Sequence, residues 1–210
     1  MAVATLIGDV VASRGAYDRA ALHAALTGAL ERINVDLRPS TPLRVTVGDE
    51  YQGCFATLGD ALRATLLLRV GLGTDAAAVD VRHGVGWGEV TILSRRPRVE
   101  DGPGWWAARE AIEAVAHAQT RAASRSLRTA YRGPGPAAVN AALVGRDQLL
   151  AGLDTRSLSV LDGMLRGMSQ QQIAQHLGVT PSAVSQRVRR DGLAAVVTID
   201  ELFGQLEGPS

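Results

Sequence analysis

Two short acidic motifs carry the side chains best suited to chemistry. In residues 7–11, Asp9 follows a glycine at the end of an apolar run, and in residues 45–53 the same Gly-Asp order places Asp49 just ahead of Glu50. Two carboxylates together with phosphate oxygens are the usual way to hold Mg²⁺, which keeps its remaining waters. We therefore predict Asp9 and Asp49 as metal ligands, and Glu50 either as a third ligand or as a turn residue.

The elements that must position these carboxylates are a strand and a β-hairpin. Residues 2–7 are apolar apart from Thr5, which is typical of a strand buried on both faces. Valines alternate up to Val47, and Gly48-Asp49 predicts a tight turn, so residues 45–53 form a hairpin with the carboxylates at its tip. The alternative is that these carboxylates only shape the turn.

The rest of the N-terminal half predicts an α+β fold. With the strand and hairpin, its elements give a ferredoxin-like βαββαβ plan, with helices covering one side of a mixed sheet. Glycines at every second position of the strand over 79–87 predict that something packs close to its backbone. Residues 89–93 extend that strand or start another. The predicted elements are helices over about 18–34, 61–71 and 105–123, and strands over 79–87 and 125–131.

The C-terminal part predicts an all-α helix-turn-helix unit. A Gly-Pro-Gly-Pro breaker at 133–136 precedes a helix over about 137–151. Ser169 with Gln172 forms a capping box at the start of the next helix, and Thr180 with Pro181 starts the last helix of the motif. We expect a domain over 1–132, a breaker and linker helix over 133–152, and the helix-turn-helix over 153–210.

Local charge indicates double-stranded DNA as the partner of this unit. Residues 155–197 hold five arginines against two aspartates, a balance of +3 on a chain of net charge +1. Short polar groups on the recognition helix suit base edges, while arginines suit phosphates. The alternative is a protein-docking module. The predicted DNA contacts are Gln170, Ser182, Ser185, Gln186, Arg187, Arg189 and Arg190.

Nearly the whole chain resembles the SatD-like family. The similar segments are Ile7-Gly8-Asp9-Val10-Val11-Ala12-Ser13-Arg14, Gly48-Asp49-Glu50-Tyr51-Gln52-Gly53, Arg82-His83-Gly84-Val85-Gly86-Trp87-Gly88-Glu89 and Asp101-Gly102-Pro103, together with the helix-turn-helix. The last unit is also similar to the DNA-reading helices of sigma-factor region 4 and of LuxR-type regulators.

The N-terminal half also resembles class III nucleotidyl cyclases and diguanylate cyclases. Asp9 and Asp49 fall on the metal-binding positions of those enzymes. Arg82 falls on the arginine of their Arg-x-Gly strand, and Arg109 falls on the catalytic arginine of the helix that a glycine-rich segment precedes. The resemblance implies a nucleotide-cyclase-type domain that binds Mg²⁺ and a nucleotide, with Arg109 also a catalytic candidate. The implied ligand-binding residues are Val10, Val11 and Ser13, whose amides cradle a polyphosphate, together with Arg82, Arg109 and Trp105.

One departure from the cyclase pattern weakens the case for an enzyme. Trp105 stands where cyclases place an asparagine one helical turn before the arginine. The missing asparagine weakens the case for transition-state stabilisation but leaves the metal site, so we expect nucleotide binding rather than cyclisation. Trp105 and its neighbour Trp106 either stack on a base or fill core and interface.

Bulk composition fits a globular protein of the cytoplasm. Hydrophobic residues make up 46% of the chain and charged residues 20%. Cys54 is the only cysteine, which excludes a disulfide framework and a thiolate zinc site. We expect neither a signal peptide nor a membrane span.

The sequence therefore favours a homodimeric transcriptional regulator that senses a nucleotide or related phosphate ligand with Mg²⁺. Two rival interpretations stay open. The first is a nucleotidyl cyclase or small nucleotide polymerase that uses the two aspartates. The second is a DNA-binding dimer whose sensor domain is vestigial.

Overall fold

The computed structural model describes residues 2–11, 18–75, 79–96 and 98–208. The elements follow the predicted order, with an additional strand at Arg98–Asp101 and an additional last helix at Leu193–Phe203. The strands are β1 Ala2–Val10, β2 Thr41–Val47, β3 Glu50–Phe55, β4 Val81–Glu89, β5 Thr91–Arg95, β6 Arg98–Asp101 and β7 Thr129–Arg132. The helices are α1 Arg19–Leu37, α2 Leu58–Thr74, α3 Pro103–Ala118, α4 Pro136–Ala151, α5 Thr155–Leu165, α6 Gln170–Leu177, α7 Pro181–Arg190 and α8 Leu193–Phe203.

The main sheet has five strands in the order β2-β3-β1-β4-β7. Strand β1 lies in the middle and pairs antiparallel with both β3 and β4, while β7 pairs parallel with β4. The order of β1 to β4 is that of a ferredoxin-like βαββαβ core. The α+β fold class predicted from the sequence is confirmed. Strands β5 and β6 form a separate two-stranded sheet, so residues after β4 start a new strand rather than extending β4.

Helix α3 lies on the opposite face of the sheet from α1 and α2. Leu6 of β1 packs in the main core with α1 and α2, whereas its neighbour Ile7 packs with Ile112 of α3. On the α3 side, Thr5 Oγ1 donates to the carbonyl oxygen of Gly104 at 2.7 Å. The expectation of helices on one side only is therefore wrong for α3, because this helix carries the chain from the second sheet back to β7 across the far face.

The alternating glycines of β4 explain how closely α3 approaches. A Cβ at Gly84 would collide with the carbonyl oxygen of Ala108, and a Cβ at Gly86 would collide with that of Gly104. Both glycines therefore let helix backbone rest directly on strand backbone. The prediction that something packs close to this strand is confirmed.

The C-terminal helices share a hydrophobic core with α2. Leu66 and Val70, on one face of α2, pack with buried residues of the last four helices, among them Leu161, Val184 and Leu193. On its other side, α2 packs in the main core against the sheet. Helix α2 thus separates two cores and belongs to both.

Cys54 of β3 is buried at 2% exposure beneath the second sheet. Its thiol lies 3.9 Å from the Glu100 carboxylate of β6. Burial, assisted by the negative charge of Glu100, raises the pKa of Cys54 to about 12. The side chain therefore stays a neutral thiol and serves as a small core residue, as expected. In the described ranges, no helix has the length and apolar character needed to cross a membrane.

Candidate functional site

The two acidic motifs meet at the end of β1. The turn between β2 and β3 brings the Asp49 carboxylate to the backbone of β1, where its Oδ2 accepts a hydrogen bond from the Val10 amide at 3.3 Å. Asp9 is the preceding residue of the same strand. The hairpin thus places Asp49 beside Asp9, because β3 pairs with β1 along almost its whole length.

Asp9 is held by Arg82, its direct partner across the β1–β4 pair. Arg82 Nε lies 2.6 Å from Asp9 Oδ1, and Arg82 Nη2 lies 2.8 Å from Asp9 Oδ2. The pair is fork-to-fork and half-buried, with a third hydrogen bond from Arg82 to the Gln119 side chain at 3.3 Å. Arg82 therefore orients Asp9 and is already engaged, rather than standing free for a phosphate.

A second bidentate pair joins Glu50 to Arg109. Arg109 of α3 donates to the two Glu50 oxygens at 2.7 and 2.8 Å. These hydrogen bonds raise the pKa of the Arg109 guanidinium, and the charges of Glu113 and Asp9 raise it further. The Arg109 side chain is 44% exposed, so the pair contributes little stability and a competing anion can open it.

The carboxylates of this site could hold a hard cation such as Mg²⁺ only if a bound ligand supplied further oxygen atoms. Among the described residues, no group of three or more Asp, Glu, His or Cys side chains is arranged to hold a metal. Glu50 directs both oxygens to Arg109, which does not support a role as third ligand. Arg82 uses one lone pair on each Asp9 oxygen and leaves the other free. An Mg²⁺ ion held by Asp9 and Asp49 would therefore need phosphate and water oxygens at its remaining positions.

The backbone amides at the end of β1 form hydrogen bonds within the chain instead of pointing to a free phosphate site as expected. The Val10 amide donates to Asp49, and the Val11 amide donates to the carbonyl oxygen of Asp80 at 2.9 Å. Both amides are therefore hydrogen-bonded within the chain in this arrangement, which does not favour a polyphosphate cradle at Val10 and Val11. Ser13, the third residue of the predicted cradle, lies outside the described residues.

Trp105 is a core residue. It is 7% exposed and packs with Ile7 and Cys54 on the α3 side of the sheet. This placement favours the core alternative over stacking on a base. Trp106 is 58% exposed and its indole donates to Asp101 Oδ1 at 2.9 Å, which ties the start of α3 to the second sheet.

Sequence reasoning missed a buried tyrosine–histidine pair next to the acidic residues. Tyr51 of β3 and His83 of β4 both lie opposite Gly8 of β1, and Tyr51 Oη lies 2.6 Å from His83 Nε2. A Cβ at Gly8 would collide with the Tyr51 ring, so only glycine lets the two side chains meet across β1. His83 lies at one of the β4 positions whose side chains face the core, and this alternation in the sequence could have revealed the pair.

Burial sets the charge of this pair. It raises the pKa of Tyr51, with a contribution from the Asp9 carboxylate. It lowers the pKa of His83, assisted by the positive charges of Arg146 and Arg69. Both side chains are therefore neutral near pH 7, and Tyr51 lies close enough to Asp9 to respond to its charge.

The helix-turn-helix has the caps predicted from the sequence. Ser169 and Gln172 form the capping box at the start of α6. Gly178 turns the chain in the left-handed conformation at φ 64°. The Thr180 side chain accepts from the Ala183 amide at 3.2 Å, and Pro181 begins α7.

One face of α6 and α7 is exposed and free of acidic residues. The sequence contains no carboxylate between Asp162 and Asp191. Arg189 donates to the Ser185 hydroxyl at 3.0 Å, and Arg190 pairs with Asp191 at 2.6 Å. The exposed predicted DNA contacts are Gln170, Ser182, Gln186, Arg189 and Arg190, and Ser185 is partly exposed.

Arg187 has a different environment from the other arginines of α7. Its guanidinium donates to Asp154 at 2.9 Å and to the Ser157 hydroxyl at 2.7 Å. Hydrogen bonds from Ser157 and then from Arg187 lower the pKa of Asp154 to about 2. Arg187 therefore ties α7 to the first turn of α5, which favours a positioning role over a direct contact with DNA.

The fold combines a ferredoxin-like sheet, which carries the carboxylate–arginine pairs, with C-terminal helices that include the helix-turn-helix motif. The sequence profile of the SatD family matches residues 3–199. The chain therefore belongs to the SatD family. No curated protein matches the sequence significantly.

Several solved structures resemble parts of the chain. The catalytic core of a rhodopsin-guanylyl cyclase with converted specificity, in complex with ATPalphaS, is 19% identical over 53% of this chain and 71% of that chain, with a TM-score of 0.46. A bacterial light-regulated adenylyl cyclase is 12% identical over 70% of this chain and 44% of that chain, with a TM-score of 0.49. A regulator of polyketide synthase expression from Bifidobacterium adolescentis is 16% identical over 98% of this chain and 86% of that chain, with a TM-score of 0.29. Because these scores are low, the fold assignment rests on the sheet topology.

Proposed function

We propose that this protein is a DNA-binding transcriptional regulator whose ferredoxin-like domain senses a nucleotide or a related phosphate ligand with Mg²⁺. The observation that carries the proposal is the exposed, carboxylate-free face of α6 and α7, which bears Arg189 and Arg190. A surface with this charge and these short polar groups suits the major groove and its phosphates. Two copies on neighbouring half-sites bind far more tightly than one, so the proposal includes a homodimer.

The ligand part of the proposal rests on the carboxylate–arginine cluster. Asp9 and Asp49 would hold Mg²⁺, which would supply positive charge to the ligand's phosphate oxygens. Arg109 is the guanidinium best placed to bind the same phosphate oxygens, because its exposed ion pair with Glu50 opens at little cost. Arg82 keeps Asp9 oriented through two short hydrogen bonds.

Selection of bound duplexes from a random library tests the DNA part. We expect enrichment of a site made of two related halves, with binding that weakens steeply as salt rises. Substitution Ser182→Ala should relax preference at single base positions. Failure to enrich any sequence, together with salt-independent binding, would remove DNA from the function and leave a protein-docking module.

Calorimetry tests the ligand part. Nucleoside triphosphates and cyclic nucleotides are titrated with Mg²⁺ into the wild type, Asp49→Ala and Arg109→Ala. We expect binding by the wild type and at least tenfold weaker binding by both variants, about 1.4 kcal/mol each. Glu31→Ala, an exposed carboxylate on α1, is the matched control and should bind like the wild type. Equal affinity in all four proteins, or binding by none, excludes this site.

The meeting of Asp9 and Asp49 at one strand end also favours a rival function. In that alternative the domain is a nucleotidyl cyclase or small nucleotide polymerase with phosphoryl chemistry. It predicts release of pyrophosphate from ATP or GTP that both Asp9→Asn and Asp49→Asn abolish. A sensitive pyrophosphate assay at high protein concentration separates the sensor from the enzyme.

A further inference from the structure

A series of buried polar side chains leads from the acidic cluster through the sheet to α8. It consists of Tyr51, His83, Thr129 and Arg146, which we call the polar relay. Each of the four is at most 1% exposed. Buried polar groups are costly unless they are hydrogen-bonded. Two side-chain hydrogen bonds join members of the relay, one between Tyr51 and His83 and one from Arg146 to Thr129, while His83 and Thr129 are neighbours across the β4–β7 pair.

The first link fixes the tautomer of His83. Tyr51 Oη and His83 Nε2 are 2.6 Å apart, and His83 Nδ1 has no partner in the part of the chain that the structure describes. If Tyr51 donates to Nε2, one N–H is left unpaired. If Nε2 donates instead, both the tyrosine proton and the Nδ1 lone pair are unpaired. We therefore assign the proton of the neutral ring to Nδ1.

The next links cross from the sheet to the helices. His83 lies opposite Thr129 in the parallel β4–β7 register, and its amide donates to the Arg128 carbonyl oxygen at 2.7 Å. Thr129 Oγ1 accepts from Arg146 Nη2 at 3.0 Å, and Thr65 Oγ1 of α2 accepts from the same nitrogen at 3.0 Å. The Arg146 guanidinium therefore touches β7 and α2 at once.

The last link reaches α8. The Arg146 guanidinium lies 6.0 Å from the centre of the Phe203 ring. Asp200 of α8 is 2% exposed and pairs with Arg63 of α2. Within the described residues, neither Arg146 Nε nor Asp200 Oδ1 has a hydrogen-bond partner, and Arg146 Nε has only a long ion pair with Asp147 Oδ1 at 3.9 Å. A second arrangement, in which Arg146 Nε donates to Asp200 Oδ1, would give both atoms a partner. The contact between Arg146 and α8 is therefore a candidate for an element with two stable arrangements.

We propose that the polar relay couples occupancy of the Asp9–Asp49 site to the position of α8, and through α8 to the recognition helix α7. The inference rests on the proposed ligand-sensing function. Leu193 and Val196 of α8 pack with Val184 of α7 in one buried cluster, so a shift of α8 repositions α7. A ligand drives this change only by binding one of the two arrangements more tightly than the other.

Hydrogen–deuterium exchange of the full chain tests the coupling without any DNA. The probe is inorganic triphosphate with Mg²⁺, which needs no assumption about a base. Tyr51→Phe removes one hydroxyl of the relay and keeps the ring. Tyr131→Phe is the matched control, because Tyr131 is equally buried in the same sheet but its hydroxyl bonds to the Pro134 carbonyl oxygen at 3.2 Å, outside the relay.

In the wild type and in Tyr131→Phe, we expect the probe to change exchange rates in α8 by about fivefold or more, the lower range for coupled sites. In Tyr51→Phe, we expect the probe to bind with similar affinity and to leave α8 unchanged. Asp200→Asn, at the far end of the junction, should also lose the α8 response.

The possible results separate three failures. If the wild type binds the probe and Tyr51→Phe keeps the full α8 response, the relay is wrong and the sensor stands. If the wild type binds the probe with no change in α8, the coupling through α8 is wrong. If the wild type binds neither the probe nor any nucleotide, the proposed ligand function falls and the relay falls with it.

Discussion

At the residue scale, Gly8 determines what the middle of the sheet can contain. Tyr51 and His83 approach each other from the two neighbouring strands, and the missing side chain at Gly8 leaves room for both. The result is a buried, neutral pair directly beside Asp9. The glycine that precedes Asp9 therefore has a physical role of its own inside the strand.

Buried His83 predicts an acid-sensitive stability. The unfolded chain protonates this histidine below about pH 6.5, whereas burial beside Arg146 and Arg69 keeps it neutral in the folded state. The unfolded state then binds more protons, so the free energy of unfolding should fall by up to about 1.4 kcal/mol per pH unit below that point. Urea unfolding at pH 7.5 and 5.5 measures the loss.

The matched comparison uses two histidine variants. His83→Gln should flatten the pH dependence, and His176→Gln, at an exposed position, should keep it. The same slope in His83→Gln as in the wild type would show that another group is responsible.

The contacts of α7 predict different outcomes for substitution of two of its arginines. Arg187→Ala should lower the free energy of unfolding by about 1 kcal/mol, since it loses its contacts with Asp154 and Ser157. Arg189→Ala should leave stability unchanged and lower the salt slope of DNA binding by about one. Thermal unfolding and fluorescence anisotropy at several salt concentrations separate them. Equal salt slopes for Arg189→Ala and the wild type would exclude a phosphate contact.

At the element scale, local signals predicted the helices and turns well. The capping box at Ser169 and the Thr180-Pro181 start are short-range patterns, and the structure has both. The side of the sheet that α3 covers was not predictable in this way. That choice depends on how the chain crosses between strands, which no local pattern encodes. The pairings of Asp9 with Arg82 and Glu50 with Arg109 likewise join residues far apart in the chain.

The contact of α3 with β4 predicts opposite effects for two glycine substitutions. Gly86→Ala should destabilise the protein by about 2–3 kcal/mol, because the new Cβ collides with helix backbone that cannot move alone. Gly145→Ala, in open space on α4, should stabilise it by about 0.5–1 kcal/mol. Urea unfolding of both variants checks the pair. A stable Gly86→Ala would show that α3 does not rest on β4 this closely.

At the scale of the whole molecule, the two cores are tied together at several points. The segment after α8 returns to α2, where the carbonyl oxygens of Leu206 and Glu207 accept from the Gly59 and Leu58 amides at 2.9 and 3.3 Å. With α2 in both cores, this contact favours unfolding in a single transition.

The contacts of Asp147 predict how strongly the stability of the sheet core depends on that of the C-terminal helices. Its buried carboxylate accepts from Arg69 at 2.8 Å and from the amides of Arg128 and Thr129 at 2.6 and 2.7 Å. Asp147→Asn should cost about 3–5 kcal/mol, because it leaves buried arginines without their counter-charge. Calorimetry should show one transition at a lower temperature. Asp162→Asn, which loses only a surface pair with Arg166, should change little.

The lone cysteine has a practical consequence for every experiment above. Because the Cys54 thiol is shielded and holds its proton well above neutral pH, alkylating reagents should ignore it until the sheet opens. A dye attached to a cysteine introduced on α7 would therefore label one position only. In the unlabelled protein, the rate at which Cys54 becomes modified would report how often the native molecule opens.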